Sequence, residues 1–345
     1  MQNMPIRFIA ALSLLLSAAA TVFAEPADSS AKTDYRPNIH GTIRGRFEAS
    51  TERTDYRFAV RNARLTIDGH IAPFADYFIQ TDFCDRGKIK ILDVYARLWP
   101  VKDFAIQAGQ FRMPFGVDPF RAPHQYYFNN RSFIGREVCN VRAVGAKLMW
   151  TPSSLPITLE AGAFNPNTIS DHSTWHRKLS YAAKLTYKPT GDIALATGFQ
   201  TLSPDSTRVN LVDAALTWKR GRWIAEGEYM YKHYAHDRHK PCHAYNIFAN
   251  YQMPVKAGIF NSLGFHGRFD GMTAHSTGVR SSEGILTTDH PARNRITAGA
   301  TLSYIRSKNM FLDLRLDYEK YFYHSNAVYS LNSGDQIVAE LVLRF

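Results

Sequence analysis

The sequence predicts an all-β protein: a transmembrane antiparallel β-barrel of about sixteen strands, with a long third loop folded into it. Three observations carry this. The segment from Gly334 to Phe345 alternates, with Ile337, Ala339, Leu341, Leu343 and Phe345 on one face and Gln336, Val338, Glu340, Val342 and Arg344 on the other. A period of two over about ten residues is the signature of a tilted membrane strand. At the other end, Arg7, the apolar run Phe8 to Ala20 and the small-residue site Val22-Phe23-Ala24 compose a secretory signal peptide, cut after Ala24. Between them, connections alternate short and long, the rhythm of a barrel with turns at one rim and loops at the other.

Taken in order, the period-two segments are 39–47, 58–69, 75–83, 88–99, 103–111, 142–151, 156–164, 180–188, 192–200, 209–219, 222–233, 243–252, 260–270, 294–306, 309–320 and 335–345. In the first, Ile39, Ile43 and Phe47 oppose His40, Thr42, Arg44 and Arg46. The clearest is the fifteenth, where Leu312, Leu314, Leu316 and Tyr318 oppose Asp313, Arg315, Asp317 and Glu319. Compact turns fall near Pro73, Pro100, Pro152 to Pro156, Pro189 to Gly191, Arg220 to Gly221, Pro254 and Ser307 to Lys308. The connections 112–141, 165–179, 234–242, 271–293 and 321–334 are longer. An even count returns both ends to the periplasm; fourteen and eighteen are the neighbouring counts. The predicted organisation is a signal peptide (1–24), a flexible leader (25–38) and one barrel domain (39–345) in the bacterial outer membrane. A soluble β-sandwich is the competing fold, and it rarely needs sixteen consecutive strands with this loop rhythm.

Composition agrees. Aromatic residues make up 13%, with 22 Phe and 18 Tyr, enough for two interfacial belts. Mean hydropathy is −0.28, as expected when only alternate residues face lipid. The formal charge of +11 becomes +10 once Arg7 leaves with the signal. A basic exported chain attracts anions or a lipopolysaccharide surface; nucleic acid is not expected as a partner. Three cysteines, Cys84, Cys139 and Cys242, permit at most one internal disulfide. Cys84 and Cys139 fall in the second and third loops, where a bridge would pin the third loop.

Placing apolar faces toward lipid puts the charged faces in the lumen, because a charge on the lipid face costs ~2–4 kcal/mol near the midplane. The lumen-facing bases are then Arg44, Arg46, Arg64, Arg97, Lys147, Lys184, Arg268 and Arg315, with Lys188, Lys219, Lys232 and Arg344 beside them. A similar number of acids, among them Asp82, Asp93, Glu226, Glu228, Asp270, Asp317 and Glu340, nearly balances them. The loop from Arg112 to Arg142 is different. It holds Arg112, Arg121, Arg131, Arg136 and Arg142 against Asp118 and Glu137, and it carries Phe115, Phe120, Tyr126, Tyr127, Phe128 and Phe133. Aromatics in that number favour a loop packed on the inner wall, with arginines offering charge-assisted donors to an anion. These five form the candidate constriction.

The run Arg61-Asn62-Ala63-Arg64-Leu65-Thr66-Ile67-Asp68-Gly69, then Gln80-Thr81-Asp82-Phe83, Leu92-Asp93-Val94-Tyr95 and Gly109-Gln110-Phe111-Arg112-Met113-Pro114-Phe115, resembles the phosphate-selective porin O/P family. Phe164-Asn165, Arg268-Phe269-Asp270 and Arg344-Phe345 sit where members have similar pairs. The resemblance implies a sixteen-stranded, homotrimeric outer-membrane porin whose terminal Phe345 is read by the barrel-assembly machinery. Asn62 stands where the family has a second arginine, which points to a broader anion or small-solute channel. The expectation is passive diffusion of small hydrophilic solutes with anion preference, in contact with outer-membrane lipid and lipopolysaccharide. The alternative is an adhesin or surface receptor acting through loops 165–179 and 271–293.

No cofactor is expected. The run Lys232 to His243 holds four histidines and Cys242; it reads as a polar surface loop, with a zinc, copper or haem-iron site as the alternative. Neither a G-x-S-x-G elbow nor a convincing carboxylate pair argues for an enzyme.

Overall fold

The computed structural model describes residues 33–345 apart from 86, 140, 167, 168, 170, 171, 206 and 325–332. The expected signal peptide and most of the leader therefore lie outside the described residues. Sixteen antiparallel strands close into one barrel: β1 Asn38–Ser50, β2 Tyr56–Ala72, β3 Ala75–Asp85, β4 Lys88–Val101, β5 Phe104–Arg112, β6 Arg142–Trp150, β7 Ile157–Phe164 and β8 Ser180–Tyr187. They continue with β9 Ile193–Asp205, β10 Thr207–Arg220, β11 Trp223–Tyr234, β12 Cys242–Ala257, β13 Phe260–Met272, β14 Arg293–Ser307, β15 Met310–Tyr323 and β16 Gln336–Arg344. Each strand pairs with its sequence neighbours, and β16 pairs with β1 from Ser50–Gln336 to Thr42–Arg344.

Closure satisfies the backbone without an edge, the condition for crossing hydrocarbon with strands. The seam is finished by Phe345: Gly41 N–H donates to its carbonyl (2.7 Å) and its own N–H donates to Gly41 O (3.1 Å). Its ring fills the space over Gly41, where a side chain would collide with it.

Alternation sorts the two faces. Ile43, Phe58, Ile79, Leu148, Leu216, Ile247, Leu314 and Leu341 stand exposed on the outside, while Arg44, Asp82, Lys147, Glu226, Arg268, Asp317 and Glu340 are buried inside. An apolar belt around a charged interior is what lipid outside and water inside select.

Most predicted long-loop ends are short, by up to five residues in β9, while several turn-side ends, such as 151 and 188, run one residue too far. Hydrophobic periodicity stops where lipid stops, but the hydrogen-bond ladder continues into the rims: β9 runs to Asp205 and β10 begins at Thr207. Pro254, predicted in a turn, lies within β12, where the β12–β13 register slips between Pro254 and Ala257. A bulge is one place a residue lacking N–H fits in a ladder.

The inner wall is not uniformly charged. Near the long-loop rim, inward residues of β8 to β13 are apolar, including Ala182, Leu202, Val209, Leu211, Met230, Ala244 and Met272. They receive Met113, Phe115, Phe133, Ile134 and Val138 of the third loop, residues 113–141, to form a core inside the barrel.

Gly109 on β5 sits at φ +135°, and a Cβ there would run into the backbone of Val94 and Tyr95 on β4. Gly109→Ala should lower folded-barrel stability by about 1–3 kcal/mol, the range for a strained backbone site. The shift would be read as an earlier urea midpoint for the heat-modifiable gel band.

Candidate functional site

The third loop crosses the lumen and is held by backbone donors on wall carboxylates. Val117 and Asp118 N–H donate to Glu228 (2.7 and 2.9 Å), Asn129 N–H to Asp317 (2.7 Å) and Phe133 N–H to Asp270 (3.0 Å). Side chains add to this: the Asn130 amide donates to Glu319 at 3.1 Å, and Arg121 pairs with Glu226 while its guanidinium lies over Phe248 at 5.3 Å. Phe128 packs against Phe248 and His266. Short turns at Asp118–Phe120, Pro123–Gln125 and Ile134–Val138 let the loop follow the wall from β9 round to β1. Glu226 and Glu228 of β11, Asp270 of β13, and Asp317 and Glu319 of β15 thus hold the loop.

Of the bases expected in the lumen, Arg44, Arg46, Lys147, Lys184, Lys232, Arg268 and Arg315 are buried inside the barrel. Lys188 lies beyond the end of β8 and Lys219 is exposed near the end of β10, because alternation stops being informative at the rim. Arg44 and Arg46 share Glu340 at 2.7 Å each, Arg64 meets Asp82 (2.8 Å) and Arg97 meets Asp76 (3.2 Å). Lys147 pairs with Glu160, Arg268 with Asp270 (3.4 Å) and Arg315 with Asp313 (2.7 Å). Lys184 donates to the Gly116 carbonyl, with its ammonium 4.7 Å from the Phe120 ring centre. Asn62, at the departure from the family motif, donates to Asp82 at 2.6 Å and accepts from Arg44 at 3.4 Å.

The five loop arginines divide. Arg112, Arg131 and Arg142 converge with Arg64: Arg131 and Arg142 act electrostatically on both Arg64 and Arg112. Arg142 is bidentate with Asp93 (3.0 and 2.8 Å). The hydrogen bonds of Arg112 and Arg131 go to neutral carbonyls, those of Phe120 and Arg121. Arg121 lies on the far wall, and Arg136 pairs with Glu137 at 3.5 Å. Burial, then the charges of Arg344, Arg112, Arg64 and Arg315, push the His124 imidazole down to about 3, which makes it a neutral donor among cations.

Between the third loop and the wall of β1, β2, β4 and β6 a cavity of about 1400 Å³ opens toward the long-loop rim. It is lined by ten bases, Arg44, Arg46, Arg57, Arg61, Arg64, Lys90, Arg131, Arg136, Arg142 and Arg293, against Glu48, Asp85, Glu137 and Asp289. Glu340, Asp82 and Asp93 sit behind the arginines they pair with and do not line it. Glu48 meets Arg46 and Arg57, Asp85 meets Arg61 and Lys90, and Glu137 meets Arg136 and Arg293 on the cavity surface itself, so the excess there is of bases over acids and not of bases alone. Sequence reasoning missed Arg57, Arg61, Lys90, Arg293 and the fully buried Arg295; the parity of Arg293, Arg295 and Thr297 on β14 was the available signal.

A second loop, residues 273–292, folds over this mouth. Its His290 Nδ1 meets Glu137 at 2.9 Å, Arg293 pairs with the same carboxylate, and His275 and His290 stack at 4.8 Å. Tyr234 Oη donates to Ser276 O at 2.6 Å.

Cys84, Cys139 and Cys242 are free thiols, so the Cys84–Cys139 bridge is not formed. Cys84 Sγ points to Val60 O and Cys139 Sγ to Ile134 O. Among the described residues no group of three or more His, Cys, Asp or Glu is placed to hold a metal. His233, His239 and His243 go separately to Asp237, Thr288 and Tyr229.

A closed barrel with an inward loop and a charged lumen defines an outer-membrane porin. The sequence profile of phosphate-selective porin O and P matches residues 36–265, two thirds of the chain, and the protein belongs to that family. No curated protein sequence matches it. Among solved structures, Salmonella typhi OmpF in complex with daunomycin superposes with a TM-score of 0.65 at 14% identity, covering 90% of this chain and 97% of that one. OmpT of Vibrio cholerae in its trimer form gives 0.60 at 9% identity, covering 90% and 99%. The anion-selective porin from Comamonas acidovorans gives 0.58 at 12% identity, covering 90% and 99%. Family and fold make this a channel protein of the outer membrane.

Two predictions follow from how the loops are held. A hydrogen bond to a charged acceptor contributes about 1.5–3 kcal/mol, so Asp270→Ala should loosen the third loop, raise single-channel conductance and speed proteolysis within 113–141. Burial alone would raise the Glu137 carboxyl, but the hydrogen bond from His290 and the charges of Arg293 and Arg136 hold it at about 2. A depressed carboxyl stabilises above its ordinary range and is lost as pH falls through the folded value. The tie between loops 113–141 and 273–292 should therefore survive at pH 4 and open near pH 2, seen as new pepsin cleavage in 273–292 only at the lower pH.

Proposed function

We propose that the protein is a general diffusion channel for small hydrophilic solutes that prefers anions, with phosphate the first anion to test. The observation that carries this reading is the mouth lined by ten bases against four acids, leading to Arg112 and Arg131, which donate to carbonyls. An anion entering there meets a lining in which bases outnumber acids, in a low-dielectric wall that strengthens the attraction. The family's name and the anion-selective Comamonas porin support the same sign.

The reading includes export with cleavage after Ala24, one barrel domain after a short leader, and recognition of Phe345 by the barrel-assembly machinery. The barrel is surrounded by outer-membrane lipid and lipopolysaccharide. Assembly as a homotrimer is supported by the trimer form of OmpT.

Purified protein in planar bilayers tests it. Stepwise conductance with a reversal potential favouring chloride is expected, and cation preference would defeat the arginine argument. Surface charge is screened with a Debye length of about 10 Å at 0.1 M salt and 3 Å at 1 M. The anion-to-cation permeability ratio should therefore fall toward unity over that range, and Arg61→Glu with Lys90→Glu should lower it at 0.1 M. Millimolar phosphate should block chloride current in the wild type and less so in Arg131→Ala.

A further inference from the structure

The cavity behind the third loop is not lined by charge alone. Leu92, Pro123, Tyr126, Val141, Leu202 and Tyr323 line it together with the bases. Leu92 is there because β4 is bulged. Gln80 pairs with Asp93 and Thr81 with Ile91, so Leu92 is the extra residue between them. By parity with Val94, Ala96 and Leu98 it would face lipid. The bulge turns it inward instead: Leu92 is 4% exposed, while Ile91 and Val94 on either side stand exposed on the outside. A bulge re-aims a side chain and leaves ladder groups unpaired. Here Gln110 Nε2 donates to both Ile91 O and Leu92 O at 2.9 Å, which holds the distortion in place.

β2 carries its own bulge at the same rim. Arg44 pairs with Asn62 and Gly45 with Val60, leaving Arg61 as the extra residue, and Arg61 also lines the cavity. One distortion thus delivers a base and the other an aliphatic group. The two kinds of group are held side by side. Leu92 precedes Asp93, which takes both bonds from Arg142 (3.0 and 2.8 Å), and Val141 precedes Arg142, its carbonyl accepting from Met113 N–H at 3.0 Å. Tyr126 Oη and Arg131 Nη2 both donate to Arg121 O at 3.0 Å, and the Arg131 guanidinium lies 5.1 Å from the Tyr126 ring centre. Arg64 reaches Asp82 through Nε at 2.8 Å and keeps Nη1 buried without a hydrogen-bond partner.

A hydrated inorganic ion gains nothing from an aliphatic and aromatic wall, which is costly to keep wet. The volume of about 1400 Å³ is also that of a site for molecules, since pockets enclosing drug-sized ligands run to about 300–1,000 Å³. We propose that the preferred solutes are organic oxyanions with an apolar body. The head meets the guanidiniums of Arg64, Arg131 and Arg142, and the body lies against Leu92, Tyr126 and Val141. This rests on the anion-channel reading above and names the solute class for it.

The experiment is the chloride current of purified full-length protein in planar bilayers, titrated with inorganic phosphate, phenyl phosphate, acetate, benzoate and uncharged phenol. Phenyl phosphate should half-block at about one tenth the concentration that inorganic phosphate needs; tenfold corresponds to burying about 55 Å² of apolar surface. Phenol should not block. Benzoate against acetate separates the heads: the same ratio there assigns carboxylates to the site as well, a ratio confined to the phosphate pair assigns phosphate monoesters, and either supports the apolar body. The near-isosteric Leu92→Asn and Val141→Thr should bring the phosphate-to-phenyl phosphate ratio toward one. That ratio is taken within each variant, so a general loss of conductance cancels. Arg131→Ala should weaken block by both. A wild-type ratio near one in both pairs with chloride preference intact would overturn the proposal and leave the anion channel standing. So would a ratio that stays near ten in both wall variants, or block by phenol. Cation preference in the wild type would overturn both readings together.

Discussion

Everything distinctive about this pore depends on main-chain N–H groups of one loop donating to wall carboxylates. Val117, Asp118, Asn129 and Phe133 reach Glu228, Asp317 and Asp270 across the lumen. Each bond fixes the loop and quenches a negative charge that would otherwise face the path. The loop also covers the apolar inner wall of β8 to β13, which water alone would leave unfavourably wet. What remains open is the side where bases outnumber acids on the cavity surface, with Glu340, Asp82 and Asp93 set behind the arginines they pair with. Loop placement and electrostatic sign are one arrangement seen twice.

This explains how much could be read beforehand. Lipid outside and water inside impose a period of two, so all sixteen strands were visible in the alternation of residues such as Leu312 to Glu319. Their ends were not, because the ladder through Asp205 and Thr207 continues after lipid stops selecting side chains. The charge of the lumen was misleading when summed around the circumference, since near-balance of Arg and Asp hides where each faces. The loop anchors carry no side-chain code on the donor side, and only the carboxylates Glu228, Asp270 and Asp317 could have hinted at them.

Among the candidate residues, Arg112, Arg131 and Arg142 share a region with Arg64, whereas Arg121 and Arg136 were grouped with them only by position in the chain. Arg121 faces Glu226 because the loop crosses the barrel between residues 117 and 129. Sequence proximity within a loop that spans a lumen does not mean proximity in space. The parity of β14, by contrast, was sufficient to find Arg293 and Arg295.

The β1–β16 seam also sets the order of events in folding. Thr42 and Arg344 are 302 residues apart yet bonded. Closing a loop of that length costs about 3 kcal/mol more chain entropy than a ten-residue hairpin. Hairpins along the chain can form first, and the seam comes last, with Phe345 settling over Gly41 as the final registration mark. Until then the nascent sheet carries two bare edges, each a template for pairing with another chain. A barrel of this topology is most vulnerable to aggregation in the interval before its two ends meet.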